Sequence, residues 1–519
     1  MMKKFLLSSV LSVVVLGLSA QQLPCGTSFM DQLQDEARLR ANIAFAERNA
    51  LSENATMYIP VFFHLVAKTD GTGRPTMNDV FNAMCTMNAD YAEHDIQFYL
   101  APHPTLGLVD MTINNDNVYN NQSNTFLMNF KKHNNAVNYY VVGTAQTSNQ
   151  QPGGAAAYYS PQRDWVVTNK TYTALGDNTL SHETGHFFSL RHTFFGWESD
   201  AEDWENQPPC FESADPGWPC APSIYNGVPV EKANGSNCTT AADLICDTPP
   251  DYNFGYCAPN NCPPYNGGAQ DPNCEPVNPM ENNFMSYYFG CGDFDFTQGQ
   301  IDVVKADRLS SGRNFLNNTF SPVATSITTP ASLLVAPAEG AVLNDDDTAE
   351  LSWEAVPGAT YYYLEIDRTT TYASNLGQKH LVSGTSLTVT GLTANKKYFW
   401  RVRPFNEYYM CASPRQRSFT TGMVNTVEEI PALNNWYLSP NPVSGAELVV
   451  LQMELTSSLS VQLRVLDAMG REVYRDAALE VPAGSTQLQL PLSGLGNGLY
   501  FVQLESAGRV ETKRLSVLR

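Results

Sequence analysis

The spacing of apolar positions changes along the chain, and the changes mark out its elements. Ile59 to Val66 is a run of β-branched and aromatic residues that predicts a strand. Val80, Met84, Met87 and Tyr91 then recur at intervals of three and four, the spacing of one helix face. Ala136 to Gly143 and Trp165 to Thr168 read as further strands, and Asp31 to Arg48 as helical. A strand, helix, strand, strand, helix order predicts a mixed twisted sheet packed on helices, an α+β domain. The stretch Gly153 to Tyr159 reads as a sheet edge able to pair with an extended peptide.

Beyond residue 318 the pattern shortens. Ser, Thr and Pro over residues 319–330 predict a linker. Leu351–Trp353, Tyr361–Asp367, Ser386–Thr390 and Tyr398–Arg403 then alternate with turn residues, which predicts a β-sandwich over residues 331–421. Val461–Leu466, Thr486–Leu490 and Leu499–Leu504, separated by Gly-rich turns, predict a second over residues 437–519. The expected architecture is multidomain, with an α+β domain over residues 56–318 followed by two all-β sandwiches.

Length and composition change this picture in four ways. A chain of 519 residues exceeds what one ordinary core organises. Met1 to Lys4 is basic, Phe5 to Leu18 apolar and Ser19-Ala20 small, so residues 1–20 read as a signal peptide, and no later stretch approaches the ~20 apolar residues of a transmembrane helix. A net charge of -21 argues against nucleic-acid binding through a basic face and leaves calcium open to some of the carboxylates. Among eleven cysteines, Cys210, Cys220, Cys238, Cys246, Cys257, Cys262, Cys274 and Cys291 crowd one segment. In an exported protein they predict up to four disulfides, the alternative being a second metal site of thiolates. Cys85 sits in the apolar helical pattern and reads as a buried thiol.

The candidate chemistry lies in His182-Glu183-Thr184-Gly185-His186-Phe187-Phe188-Ser189-Leu190-Arg191-His192. Helical residues four apart share a face, so His182 and His186 can grip one ion. His192 would stand about 15 Å along an unbroken helix from His182, so the helix must stop near Ser189 and turn back. Three imidazoles suit Zn2+ with its fourth position open to water, and Glu183 can take that water's proton. Cys25, alone in the polar segment of residues 21–55, can lend its thiolate to the open position and keep the site silent until the segment is cut away.

With the Met-containing turn Asn283-Phe284-Met285-Ser286-Tyr287, this motif resembles the metzincin clan of zinc endopeptidases. Leu190-Arg191-His192-Thr193-Phe194, Asp243 to Pro249, the Met-turn itself, Phe296-Thr297-x-Gly299-Gln300 and Cys25-Gly26-Thr27 resemble its pappalysin, or cytophagalysin, family over residues 21–318. The resemblance implies Met285 as a hydrophobic floor, Tyr287 as a transition-state partner, Cys25 as a cysteine switch, and disulfides and calcium sites in the lower subdomain, with Asp247 and Asp251 as calcium ligands. Two departures stand out. Ser189 occupies the turning position where the family usually has Gly, and Gly290 the place where arginine-cleaving relatives carry an acidic residue, so arginine specificity is not carried over.

Trp353 to Ala359 and Leu392 to Val402 resemble fibronectin type III modules, implying a spacer or a binding module. Leu438 to Pro442, Asp467 to Arg471, Gly498 to Val502 and Lys513-Arg514-Leu515 resemble the sorting domain of the type IX secretion system, another adhesive sandwich being the alternative. The expectation is a secreted or surface-exposed zinc endopeptidase made as a zymogen, acting on protein or peptide substrates and handled by the type IX machinery. A non-catalytic surface adhesin on the same scaffold and a hydrolase of non-peptide amides are the alternatives.

Overall fold

The computed structural model describes residues 25–49, 55–146, 154–198, 220–257, 265, 269–288, 291–374, 376–422, 430–444, 448–491 and 494–518. The expected signal peptide and Cys210 and Cys262 lie outside them. The chain divides into two compact units, one of Met1–Glu339, Glu350–Leu387 and Phe399–Ser418, the other of Gly340–Ala349, Thr388–Tyr398 and Phe419–Arg519.

The first unit is built on five strands, β1 (Met57–Leu65), β2 (Ile96–Leu100), β3 (Val137–Val142), β4 (Ala157–Ser160) and β5 (Trp165–Asn169). Their order is β2-β1-β3-β5-β4. β1 pairs in parallel with β2 and β3, and β3 with β5, while β4 runs antiparallel against β5 at the edge. Ile59, Val61, Phe63 and Leu65 alternate onto one face and share a core with Val80, Phe81, Met84 and Met87 of a helix, Met77–Asp90, and with Leu180 and Phe187 of the helix Thr179–Phe187. The other face buries Phe62 and, in a separate cluster, Tyr140, Trp165 and Val167. Burial on both faces explains why these strands read as continuous apolar runs.

β2 was not evident from the sequence. All five of its residues are buried, so no alternation marks it, and it starts directly after Asp95, whose left-handed φ of 58° turns the chain out of the preceding helical turn. The helix expected over Asp31–Arg48 is two, α1 (Phe29–Gln34) and α2 (Glu36–Arg48), meeting at Asp35.

The buried-thiol reading of Cys85 needs correction, because Cys85 is disulfide-bonded to Cys411, 326 residues away. Around this link, strand Tyr361–Asp367 pairs antiparallel with Gln378–Val382 and with residues 399–405. Tyr363 and Phe405 stand edge-on to Phe81, with ring centroids 5.4 and 4.8 Å away. This part of the β-rich segment therefore extends the core of the sheet domain. Of the crowded cysteines, Cys220 pairs with Cys274 and Cys238 with Cys246, and Cys291 is also disulfide-bonded. Disulfides thus claim five of the eight, against a thiolate metal cluster built on them.

The second unit holds two antiparallel-rich sheets. One is formed by Leu433–Ser439, Val449–Leu455 and Gly484–Leu490, and the other by five strands between Val443 and Leu518. Trp436, Leu451, Met453, Val465, Val502 and Leu515 fill their common core.

Candidate metal centre

The helix Thr179–Phe187 places His182 and His186 one turn apart on one face. It ends in a Schellman turn, where Leu190 N–H donates to Gly185 O (3.0 Å) and Ser189 N–H to His186 O (2.9 Å). Ser189 takes the left-handed conformation at φ 70°, the position glycine fills without a Cβ penalty; for a Ser the cost is on the order of 1 kcal/mol. Asn42 Nδ2–H donates to Ser189 Oγ (2.9 Å). The reversal brings His192 back beside the helix.

The three Nε2 atoms stand 3.1, 3.1 and 3.2 Å apart, and Cys25 Sγ lies 3.7 Å from His186 Nε2. Bonds of about 2.05 Å to nitrogen and about 2.3 Å to sulfur in a tetrahedron set nitrogens about 3.3 Å apart and sulfur about 3.6 Å from each, so the donor set fits zinc. His182 Nδ1 faces Phe284 O (2.6 Å) and His186 Nδ1 faces Leu190 O (2.8 Å), which turns both Nε2 atoms inward. Burial lowers the histidine pKa values, that of His182 to about 4, and so keeps the rings neutral, the form that binds a cation. Among the described residues, Cys25, His182, His186 and His192 are the one group of three or more ligating side chains.

Glu183 lies fully buried beside them. Its Oε2 accepts the Thr27 hydroxyl (3.0 Å), and its Oε1 has no hydrogen-bond partner. Burial pushes its pKa up to about 7, against the pull of the Thr27 hydrogen bond. Tyr287 donates to Cys25 O (3.4 Å), with its ring 5.0 Å from that of His192. Met285 is fully buried against Gly185, between the two helical ligands. His182, Glu183, Tyr287 and Cys25 line a cleft of about 950 Å3.

The N-terminal segment lies across this site. Gly26 N–H donates to Ala157 O of β4 (2.7 Å), and Tyr159 N–H to Thr27 Oγ1 (2.8 Å), so residues 26–27 occupy the free sheet edge. Sequence reasoning quoted Thr27 only within the Cys25-Gly26-Thr27 motif, where the structure sets its hydroxyl on Glu183, and gave no role to Gln32 or Glu198, which the structure brings to His192. No spacing rule marks them, since each arrives from a loop or a short helix. Asp247 and Asp251 lie apart from the cluster. Asp247 accepts from Thr297 Oγ1 (2.8 Å) and Gly299 N (2.7 Å) at a helix N-terminus, and Asp251 from Thr193 Oγ1 (2.9 Å) and Ser286 Oγ (2.6 Å).

Residues 63–227 match the model of metallo-peptidase family M12, and residues 437–518 match that of a secretion system C-terminal sorting domain. An extracellular metalloprotease of Neurospora crassa is 28% identical over 42% of this chain and 81% of its own length. One of Sordaria macrospora is 28% identical over 34% of this chain and 65% of its own. Among solved structures, the FN1–FN3 domains of chicken CNTN1 are similar at 14% identity over 36% of this chain and 69% of theirs, with a TM-score of 0.17. The chain thus carries a metallopeptidase domain and a secretion sorting tail, and it is secreted or held at the cell surface. Among the described residues, no helix is long and apolar enough to cross a membrane.

Proposed function

We propose that this protein is a zinc-dependent endopeptidase of the pappalysin-like metzincin type, made as a zymogen. The convergence of three imidazole Nε2 atoms and one thiol, beside a buried carboxylate oxygen that nothing else engages, carries the reading. His182, His186 and His192 would hold the ion, and Cys25 would complete its shell in the uncut chain. When bound, zinc supplies Lewis-acid polarisation of a carbonyl and brings the pKa of a water to roughly 7.

Glu183 then acts as general base, taking a proton at the oxygen left free and passing one to the leaving amine. Tyr287 donates its hydroxyl to the developing oxyanion; in the uncut chain that hydroxyl meets the Cys25 carbonyl. Substrate peptide lies extended on the β4 edge, where Gly26 and Thr27 sit before the segment of residues 21–55 is removed. The segment of residues 331–421 is proposed as a fibronectin type III-like module, and residues 437–519 as a type IX sorting domain.

The test compares the full chain with a form trimmed of residues 21–55, each incubated with proteome-derived peptides with and without a zinc chelator. New peptide termini are expected from the trimmed form, abolished by chelator and in Glu183→Ala, while that variant still binds zinc. Absence of chelator-sensitive cleavage, or full activity in Glu183→Ala, would overturn the proposal.

A further inference from the structure

The three histidines point Nε2 at one another, so each Nδ1 carries the proton and must donate outward. Two of them give it to neutral backbone carbonyls, Phe284 O and Leu190 O. His192 differs. Its Nδ1 faces Gln32 Nε2 at 3.0 Å and Glu198 Oε1 at 3.2 Å. The Gln32 amide is fixed in orientation, because its Oε1 accepts the His192 backbone N–H at 2.8 Å. Gln32 therefore presents an N–H to His192 and cannot receive its proton. The same amide nitrogen donates one of its hydrogens to Glu198 Oε1 at 3.1 Å. Glu198 Oε1 is thus the acceptor for the His192 ring proton, and Gly196 N–H holds the other carboxylate oxygen at 2.7 Å. The His192 side chain is fully buried and that of Glu198 is 11% exposed, so little water competes.

We propose that Glu198 is the positioning residue of the third ligand: it fixes the His192 tautomer and ring plane and, as the one anionic partner among the three, makes His192 the strongest donor of the set. This rests on the reading of the histidine cluster as a zinc site. An acceptor behind a ligating imidazole raises its basicity and orients it, and losing one typically costs 10- to 100-fold in metal affinity. In the uncut chain Gln32 shares the same oxygen, so removing the N-terminal segment leaves that oxygen to His192 alone, with Gly196 still on the other.

The test is zinc affinity of the full chain, by competition with a chromophoric chelator at neutral pH, together with the visible absorption of the cobalt-substituted protein. Glu198→Gln keeps the shape and the Gly196 contact and removes the charge, and Glu198→Ala removes both. Both are expected to weaken zinc by roughly 10- to 100-fold and to shift the cobalt bands, while metal-free melting of Glu198→Gln stays that of the unaltered chain. Unaltered affinity and cobalt spectrum in Glu198→Gln would overturn the assignment, as would a loss confined to Glu198→Ala, which would make the residue a packing element. If Glu198→Ala fails to fold, Glu198→Gln carries the test. An unaltered chain that binds no stoichiometric zinc, with His192→Ala as the control, would instead overturn the metal-site reading itself.

Discussion

Met285 stands where a side chain on Gly185 would have to go: a Cβ at Gly185 would fall 2.5 Å from Met285 Sδ and 3.3 Å from its Cε. Gly185 lies on the helix between His182 and His186, so the missing side chain lets the Met-turn rise directly beneath the cluster. The same turn reaches the third histidine's neighbour, since Thr193 N–H donates to Met285 O (3.2 Å). Gly185→Ala is therefore expected to force helix and turn apart, at about 1–3 kcal/mol of stability, and to weaken zinc binding. Met285→Leu, which conserves volume, is expected to cost less than about 1.5 kcal/mol. Denaturant unfolding and chelator competition check both; native values in Gly185→Ala would refute this contact.

Cys25 is the free cysteine among the described residues, and its thiol meets the cluster from the segment that also covers β4. Cys25→Ser removes the soft ligand but leaves Gly26, Thr27 and Asn42 on their partners. The expected outcome is graded: the uncut variant gains chelator-sensitive peptidase activity, and trimming raises it further. An uncut Cys25→Ser chain as silent as the unaltered one would show that the thiol is not the block.

The site was legible where chemistry depends on residue type at a fixed spacing. His182 and His186 are one helical turn apart, and the reversal needed by His192 pointed to Ser189, where the left-handed residue stands. What escaped depends on chain segments meeting in space. Glu198 sits in an irregular loop and Gln32 in a six-residue helix, and neither carries a pattern that points at an imidazole. β2 escaped because five wholly buried residues show no alternation, and Cys85 because its partner is 326 residues away.

The Cys85–Cys411 disulfide closes that long loop and fastens the Tyr361–Asp367 region to the helix Met77–Asp90. In the loop-entropy account its removal destabilises the first unit by about 2–4 kcal/mol. The double variant Cys85→Ala/Cys411→Ala is expected to melt at a lower temperature, with the loss concentrated in the packing of Phe81 on Tyr363 and Phe405. Calorimetry with hydrogen exchange across residues 77–90 and 361–367 reads both. An unchanged melting temperature and unchanged exchange would mean that the aromatic packing alone holds this region.

Asp110 and His64 form a wholly buried pair on the opposite face of the sheet, with His64 Nδ1 3.1 Å from Asp110 Oδ2. The other ring nitrogen faces Asn138 Oδ1 (3.0 Å), whose amide is fixed by donating to His133 O and Ala136 O. Burial alone would raise the Asp110 pKa, but hydrogen bonds from His64 and from Thr112 N and Oγ1 outweigh it and draw it from 3.8 down to about 2. A depressed carboxyl contributes stability that is fully present above its unfolded value and is lost as pH falls from near 3.8 through about 2. The shift corresponds to about 2 kcal/mol. Asp110→Asn is expected to remove this part of the acid dependence and to destabilise the first unit at neutral pH, where the charged form is worth most. The difference in unfolding free energy between the two proteins should shrink steadily between pH 5 and pH 2, and a difference that stays constant over that range would show that the pair contributes no charge-dependent stability.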